Sequence, residues 1–294
     1  MSRTYKAIGI NLKSMPLGEA DRLLTILTRE HGLVKAIAIS ARKHNSKMSG
    51  RSGLFVVNDL LIAKGKSLDK ITQAETVISY SGLGKDLKRL TASQYLAELC
   101  LYQALSDQPQ DELFCILNEQ LQRLERSPTS LILLTLISGI YQLLTVAGVA
   151  PEVHRCCVTQ QPLVPNEPVG FSIPAGGTVT LESLEQLQQP NSPHVRITKP
   201  VQSSFRRNAQ LHSLIGSKEL IILQAIAQTG PLQTDADSSQ SDNFAQVATS
   251  MTACISVERI LRQYAQYHFD RSIRSATLMD ACFSSSPLPQ LSQS

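Results

Sequence analysis

The feature that most constrains this chain is a change of hydrophobic period near residue 82. Ahead of it, apolar residues alternate or run in short blocks; behind it they recur every three to five positions. Strand side chains alternate between two faces, whereas a helix returns to one face every 3.6 residues. Tyr5–Leu12 and Leu33–Ile39 nearly alternate, Arg22–Thr28 and Leu54–Ala63 are short apolar runs, and Ile71–Ile78 is rich in β-branched residues. Turn signals separate them: Pro16 with Gly18, Glu30-His31-Gly32, the polar stretch Arg42–Gly53, and Lys64-Gly65-Lys66. Five strands in 80 residues, with no helix-length gap between them, predict a small closed barrel rather than a parallel sheet. Leu17, Ala20, Leu24 and Leu27 also fit a helical period, but the neighbouring strands favour a strand over residues 17–29.

Beyond residue 82 the pattern is helical. Leu87, Leu90, Tyr95, Leu99, Tyr102 and Leu105 share one face, and Asp111–Leu124 opens with the acids that suit a helix N-terminus. Leu131–Val149 has no charged residue and is long enough to cross a bilayer. Its Thr135, Ser138, Gln142 and Thr145 form a polar stripe, however, and no Lys/Arg cluster flanks it, so a buried bundle helix and no membrane partner are expected. Residues 151–200 hold eight of the 14 prolines together with Gly170, Gly176 and Gly177, which predicts a loop-rich insert with one short helix at Thr180–Leu187. Helices resume at Ser217–Gln228 and Phe244–Phe269, with 230–243 read as a mobile loop and 284–294 as a disordered tail. The expected class is therefore α+β. A five-stranded barrel (1–81) is followed by a helical domain (82–150 and 201–283) that carries the insert (151–200).

Charge follows the same division. Residues 1–90 carry 16 Lys and Arg against 7 Asp and Glu, and the remainder carries 12 against 17. Cations that neutralise phosphates release condensed counterions, so a basic module on a mildly acidic body points to a polyanion partner. Arg42, Lys43, Lys47 and Arg51 lie in one connection, read as flexible, between two strands. Lys35 on the preceding strand and Arg22 on another complete the candidate nucleic-acid site. Arg3, Lys6 and Lys13 lie on strands that could adjoin it, and Arg29 stands a little apart.

Chemistry is harder to find. There is no G-x-x-x-x-G-K-[ST], G-x-G-x-x-G, H-E-x-x-H or G-x-S-x-G, and no paired acid/base set, so no catalytic residue and no cofactor is assigned. His154-Arg155-Cys156-Cys157 invites a metal, but a structural zinc site takes four ligands, usually in two pairs. Gln160 stands three beyond Cys157 and no second Cys or His pair follows within about 30 residues, so no metal ligand is assigned either. Met1–Ile10 lacks the apolar core of a secretory signal, and six scattered cysteines fit reduced thiols; the cytoplasm is the expected location. Three rival readings stay open: an RNA-binding module linked to translation or RNA turnover, an enzyme using Cys156 or Cys157, and a scaffold whose basic face meets an acidic protein tail.

Glu19-Ala20-Asp21-Arg22-Leu23-Leu24-Thr25-Ile26-Leu27-Thr28, then Gly32 and Ala41-Arg42-Lys43, resembles the amino-terminal pattern of RecO, the bacterial recombination mediator family. Tyr95-Leu96-Ala97-Glu98-Leu99, the passage from Gly148 and Pro151 to Cys156-Cys157, Gly176-Gly177, Leu261-Arg262-Gln263-Tyr264, Tyr267-His268 and Arg274-Ser275 continue the likeness in order along nearly the whole chain. The resemblance implies an OB-fold, a helical domain with a zinc-knuckle-like insert, and a non-catalytic role in DNA repair and recombination. It implies binding to single- and double-stranded DNA, strand annealing, and contact with the acidic C-terminal tail of single-strand binding protein. It also implies joint action with RecR to help RecA load, near the nucleoid. Where many members of the family have four knuckle cysteines, only Cys157 is expected to hold its place here. Gln160, Thr180 and Ser183 are expected at the other three, so zinc is not carried over.

Overall fold

Thr4–Leu17 (β1) is a 14-residue strand that pairs with two neighbours, and this double pairing closes the amino-terminal sheet into a barrel. The structure, a computed structural model, describes residues 4–188, 211–228 and 250–283. The other strands are Asp21–Thr28 (β2), Gly32–Ala38 (β3), Val56–Ala63 (β4) and Asp69–Ser79 (β5). They run in the order β1-β2-β3-β5-β4 and return to β1; all pairs are antiparallel except β3 with β5. Five strands and a strand rather than a helix at Arg22–Thr28 match the periodicity, and the closed ring fits an OB-fold. Ala7, Leu24, Ile26, Ala36, Leu60 and Ile62 fill the interior. Full burial of each large aliphatic side chain there stabilises the barrel by about 1.5–3 kcal/mol.

The chain divides into two compact units, Met1–Ser127 and Pro128–Ser294. This cut differs from the change of secondary structure near residue 82. The helices Leu87–Gln103 (α2) and Asp111–Arg126 (α3), expected to group with the later helices, fall in the unit of the barrel. They pack on it directly. Leu33 N donates to Leu105 O at 2.8 Å, Gln110 N donates to Arg29 O at 2.8 Å, and the Arg29 guanidinium meets both Asp111 and the Phe114 ring. Gly32 makes this approach possible. Its φ is +63°, and a Cβ there would lie 2.1 Å from Leu105 O and 2.6 Å from Gln108 O.

The second unit is built on Ile132–Val146 (α4), which packs against Met251–Phe269 (α7) and Ser217–Gln228 (α6). Thr129–Val146 is long and apolar enough to cross a membrane by composition, but α4 is buried on nearly every face. Thr135 and Thr145, two members of its polar stripe, donate back to Leu131 O and Tyr141 O. Ser275–Phe283 (α8) closes on α7, where the Arg262 guanidinium bridges Glu258 and Asp280 and draws the Asp280 carboxyl below its ordinary range. The insert contributes two strands, Val169–Ser172 (β6) and Gly177–Val179 (β7), to a small antiparallel sheet that periodicity did not reveal, and His212–Ile215 (β8), in the segment expected to be helical, completes it. Its short helix, Leu181–Gln188 (α5), stands where expected. Residues 229–249 and 284–294 lie outside the described residues, and with them the expected loop and tail and the first six positions of the expected Phe244–Phe269 helix.

Gly32→Ala should lower unfolding stability by about 2 kcal/mol or more, since both the left-handed backbone and the close approach of the residue 105–108 backbone oppose a side chain. Urea denaturation of wild type and variant measures this.

Candidate nucleic-acid interface

The residues expected to bind nucleic acid fall in three different settings. Lys35 sits outward and exposed in the middle of β3. Its partner on β2 is Thr25, whose partner on β1 is Lys13. Lys13, Thr25 and Lys35 therefore form one transverse row on the outer face, since directly opposed residues share a face. The next row is Met15, Leu23 and Ile37, with Met15 exposed, and Ile39 follows beyond β3, also exposed. Cations and accessible apolar groups thus alternate across β1, β2 and β3.

Lys13 is there because β1 is irregular. The pairing register with β2 shifts between Asn11 and Lys13, a bulge that reverses which positions point outward. Lys6 and Lys13, seven apart, would face opposite sides of a regular strand, yet both are exposed. Strict alternation in the sequence could not place Lys13 beside Lys35.

The second setting is the connection from β3 to β4. Expected to be flexible, it is instead a short helix, Lys47–Arg51 (α1), with Ser46 as N-cap accepting from Met48 N at 3.2 Å. Met48 packs against the barrel core. Two buried amides fasten the far end: Asn11 Nδ2 donates to Arg51 O at 2.8 Å and Gly53 O at 2.9 Å, and Asn58 Nδ2 donates to Arg51 O at 3.0 Å. The near end is fastened to the β1–β2 turn. Arg42 Nη1 donates to Gly18 O at 2.7 Å, Arg42 N donates to Ala20 O at 2.8 Å, and Ser40 N donates to Asp21 Oδ1 at 2.7 Å. The connection read as flexible is tied at both ends because buried polar groups must be paired, and here the segment's own backbone is their partner. Lys43 and Lys47 are exposed on this framework, and Arg42 is exposed while it braces the turn.

In the third setting are cations drawn away from the outer face. Arg22 has the parity of inward Leu24 and Ile26; it is half-buried and donates from Nη1 to Ser14 Oγ at 3.0 Å. Arg51 is half-buried, with its carbonyl held as above. Arg29 is committed to Asp111.

The opposite side of the barrel has other electrostatics. Asp59 on β4 and Glu75 on β5 are directly opposed and both exposed, an arrangement that repels anions and costs some stability. Among the described residues, Asp21 is the one carboxylate at an outward position of β2 or β3, and Ser40 N occupies it. The outward charges of β2 and β3 are thus mainly cationic beside apolar groups, whereas on β4 and β5 the opposed Asp59 and Glu75 share the surface with exposed Lys70. What the face of β1, β2 and β3 can do is hold a phosphate backbone without reading its sequence, with Met15 and Ile39 available for base contact in place of aromatic rings.

The donors at the expected knuckle position are one thiol and hydroxyls. The sulfur that faces Thr180 and Ser183 is that of Cys156, not Cys157 as the sequence suggested. Cys157 instead ties its N–H to Thr178 O at 2.8 Å, and burial pushes its thiol up to about 11. A lone sulfur among hydroxyls is no structural zinc site, and no cluster of three metal-ligating side chains occurs among the described residues.

Comparison with known proteins gives a consistent answer. Residues 1–80 match the family described as "Recombination protein O N terminal", and residues 84–177 match "Recombination protein O C terminal". The DNA repair protein RecO of Nostoc punctiforme is 48% identical over 304 residues, spanning 96% of this chain and 97% of its own length. The RecO of Acaryochloris marina is 50% identical across 99% of this chain and 98% of its own. That of Gloeobacter violaceus is 42% identical across 98% and 97%.

Asn58→Ala should remove one of the two amide donors to the Arg51 carbonyl and cost about 0.5–1.5 kcal/mol. Hydrogen exchange should show Ser49 and Ser52 amides losing protection while the β1–β2 pairing keeps its own.

Proposed function

The chain belongs to the RecO family, and on that footing we propose that it is a non-catalytic mediator of DNA repair and homologous recombination. In this reading it binds single- and double-stranded DNA through the outer face of β1, β2 and β3, extended by Arg42, Lys43 and Lys47 at the end of the barrel. It anneals complementary strands and, with RecR, helps RecA load on DNA coated by single-strand binding protein. Residues 1–81 are its DNA-binding module, the insert is a degenerate knuckle without metal, and its location is the cytoplasm at the nucleoid.

The observation that carries this reading is the row Lys13–Thr25–Lys35 on a barrel whose other side presents Asp59 and Glu75. The Lys13–Thr25–Lys35 row meets a phosphate backbone with no opposed carboxylate pair beside it, unlike the side that presents Asp59 and Glu75. Its cations offset the mutual repulsion of two strands, and because the contacts are to phosphate they carry no sequence preference. Arg22 and Arg51 take a supporting part here, as braces of the barrel rim and of α1.

An acidic protein tail needs an apolar groove beside a cation. Arg123 is paired with Glu119 at 2.7 Å, and Arg206 and Arg207 lie outside the described residues. Leu133, Ile255, Met279 and Phe283 line a groove next to exposed Arg259; Glu258 and Asp280 line it too, but both are bonded to the Arg262 guanidinium, and on that basis the groove is the proposed docking place for the tail of single-strand binding protein.

Three measurements test the reading. The log–log salt slope of single-stranded DNA affinity should fall by about 0.7 for each cation–phosphate pairing removed. It should do so both in Lys13→Ala/Lys35→Ala and in Arg42→Ala/Lys43→Ala/Lys47→Ala. Lys70→Ala on β5 should leave the slope nearly unchanged; equal effects from all three variants would reject the face. Arg259→Glu should weaken binding of a synthetic acidic tail peptide roughly tenfold. In the decisive assay, annealing of complementary DNA coated with cognate single-strand binding protein should speed up on adding this protein, with and without RecR. No acceleration would refute the proposed role.

A further inference from the structure

Cys156 is the hub of a small buried centre in the insert. Its Sγ accepts the N–H groups of Thr159 and Thr180, each at 3.4 Å, and lies 3.7 Å from Ser183 Oγ and 4.0 Å from Thr180 Oγ1. Thr180 Oγ1 donates onward to Ser183 Oγ at 2.9 Å and accepts Ser183 N–H at 3.3 Å. The side chain of Cys156 is fully enclosed, with Val179 and Leu184 among its neighbours. Burial raises its thiol, but hydrogen bonds from Thr159, Thr180 and Val158 outweigh that and bring it down to about 6.

Two properties of this quartet go together. Its members fall in two pairs, 156 with 159 and 180 with 183, each with the two-residue separation that presents paired ligands from one turn to a metal. The distances also have metric meaning. Zinc–sulfur bonds of about 2.3 Å in a tetrahedron put neighbouring sulfurs about 3.8 Å apart. Ser183 Oγ and Thr180 Oγ1 stand from the Cys156 sulfur at nearly that separation. Backbone bonds hold both turns without help from a metal: Cys156 N to Gln161 O, Gln160 N to Cys156 O, and Cys157 N to Thr178 O, all at 2.8 Å. With one thiol and three hydroxyls, however, the donor set is wrong for zinc.

We infer that Cys156, Thr159, Thr180 and Ser183 form a four-point knuckle in which hydrogen bonds to one sulfur have taken over the metal's role, and that Thr159→Cys, Thr180→Cys and Ser183→Cys together suffice to make it a zinc site. The sulfur ties the two turns together by accepting an N–H from each, where a cation would tie them by taking lone pairs from four ligands.

The full-length triple variant, purified with zinc, should carry roughly one zinc per chain by elemental analysis and show the visible absorption of a tetrahedral thiolate when loaded with cobalt. Wild type should carry none above background. Adding Cys156→Ala to the triple variant should abolish uptake, and adding Cys157→Ser should not. A triple variant that folds by circular dichroism yet takes up no zinc overturns the inference, and so does uptake that survives Cys156→Ala. Should the triple variant fail to fold, wild type and Cys156→Ala still decide by hydrogen exchange. Thr159 and Thr180 amides should lose protection at least tenfold in Cys156→Ala while Phe171 and Val179 amides stay protected; unchanged protection at Thr159 and Thr180 overturns it.

Discussion

Closure of the five-stranded sheet is the constraint on which the amino-terminal unit depends. A sheet that returns to its first strand leaves little free edge, here only the stretches of β3 and β5 beyond their three parallel pairs, so there is little room for a partner to add a strand. Recognition is left to outward side chains and to the segments at the barrel ends. Closure also fixes, residue by residue, which cations are displayed. Lys13 and Lys35 face out because Val34, Ala36 and Ile26 must face in, and Arg22 is drawn toward Ser14 by the same parity. The electrostatic character of the unit is thus a by-product of how its core is filled.

The ends of the barrel obey a second requirement, that buried amides find partners. Asn11 and Asn58 direct their amide N–H groups to the carbonyls of residues 51 and 53, and in doing so tie down a polar, glycine-containing connection that carries Arg42, Lys43 and Lys47. Two interior asparagines therefore act on the surface charge without being part of it.

Much of this is legible in the sequence. Strand and helix positions follow from period, because burial on one or two faces leaves a clear trace in the order of apolar residues. The sheet of β6, β7 and β8 leaves little trace: its strands are three or four residues long and the third lies some 40 residues beyond the first. Lys13 does not stand out as a member of the site because a bulge is a property of pairing, visible only when β2 is set beside β1. The choice between Cys156 and Cys157 is likewise undecidable from the order of residues, since adjacent side chains in a turn diverge and only packing says which turns inward. Flexibility is where composition misleads. That of residues 41–51 suggests a loose loop, but it does not reveal that two distant asparagines require the backbone of that segment.

The opposition of Asp59 and Glu75 across β4 and β5 limits the protein in a way that has to do with valency. A barrel attractive on all sides could tether two nucleic-acid strands at diametrically opposite positions, too far apart to meet. In the proposed role, with Asp59 and Glu75 opposed on its back, each molecule would hold strands side by side on one surface, which would bring complementary bases to the same edge of the protein.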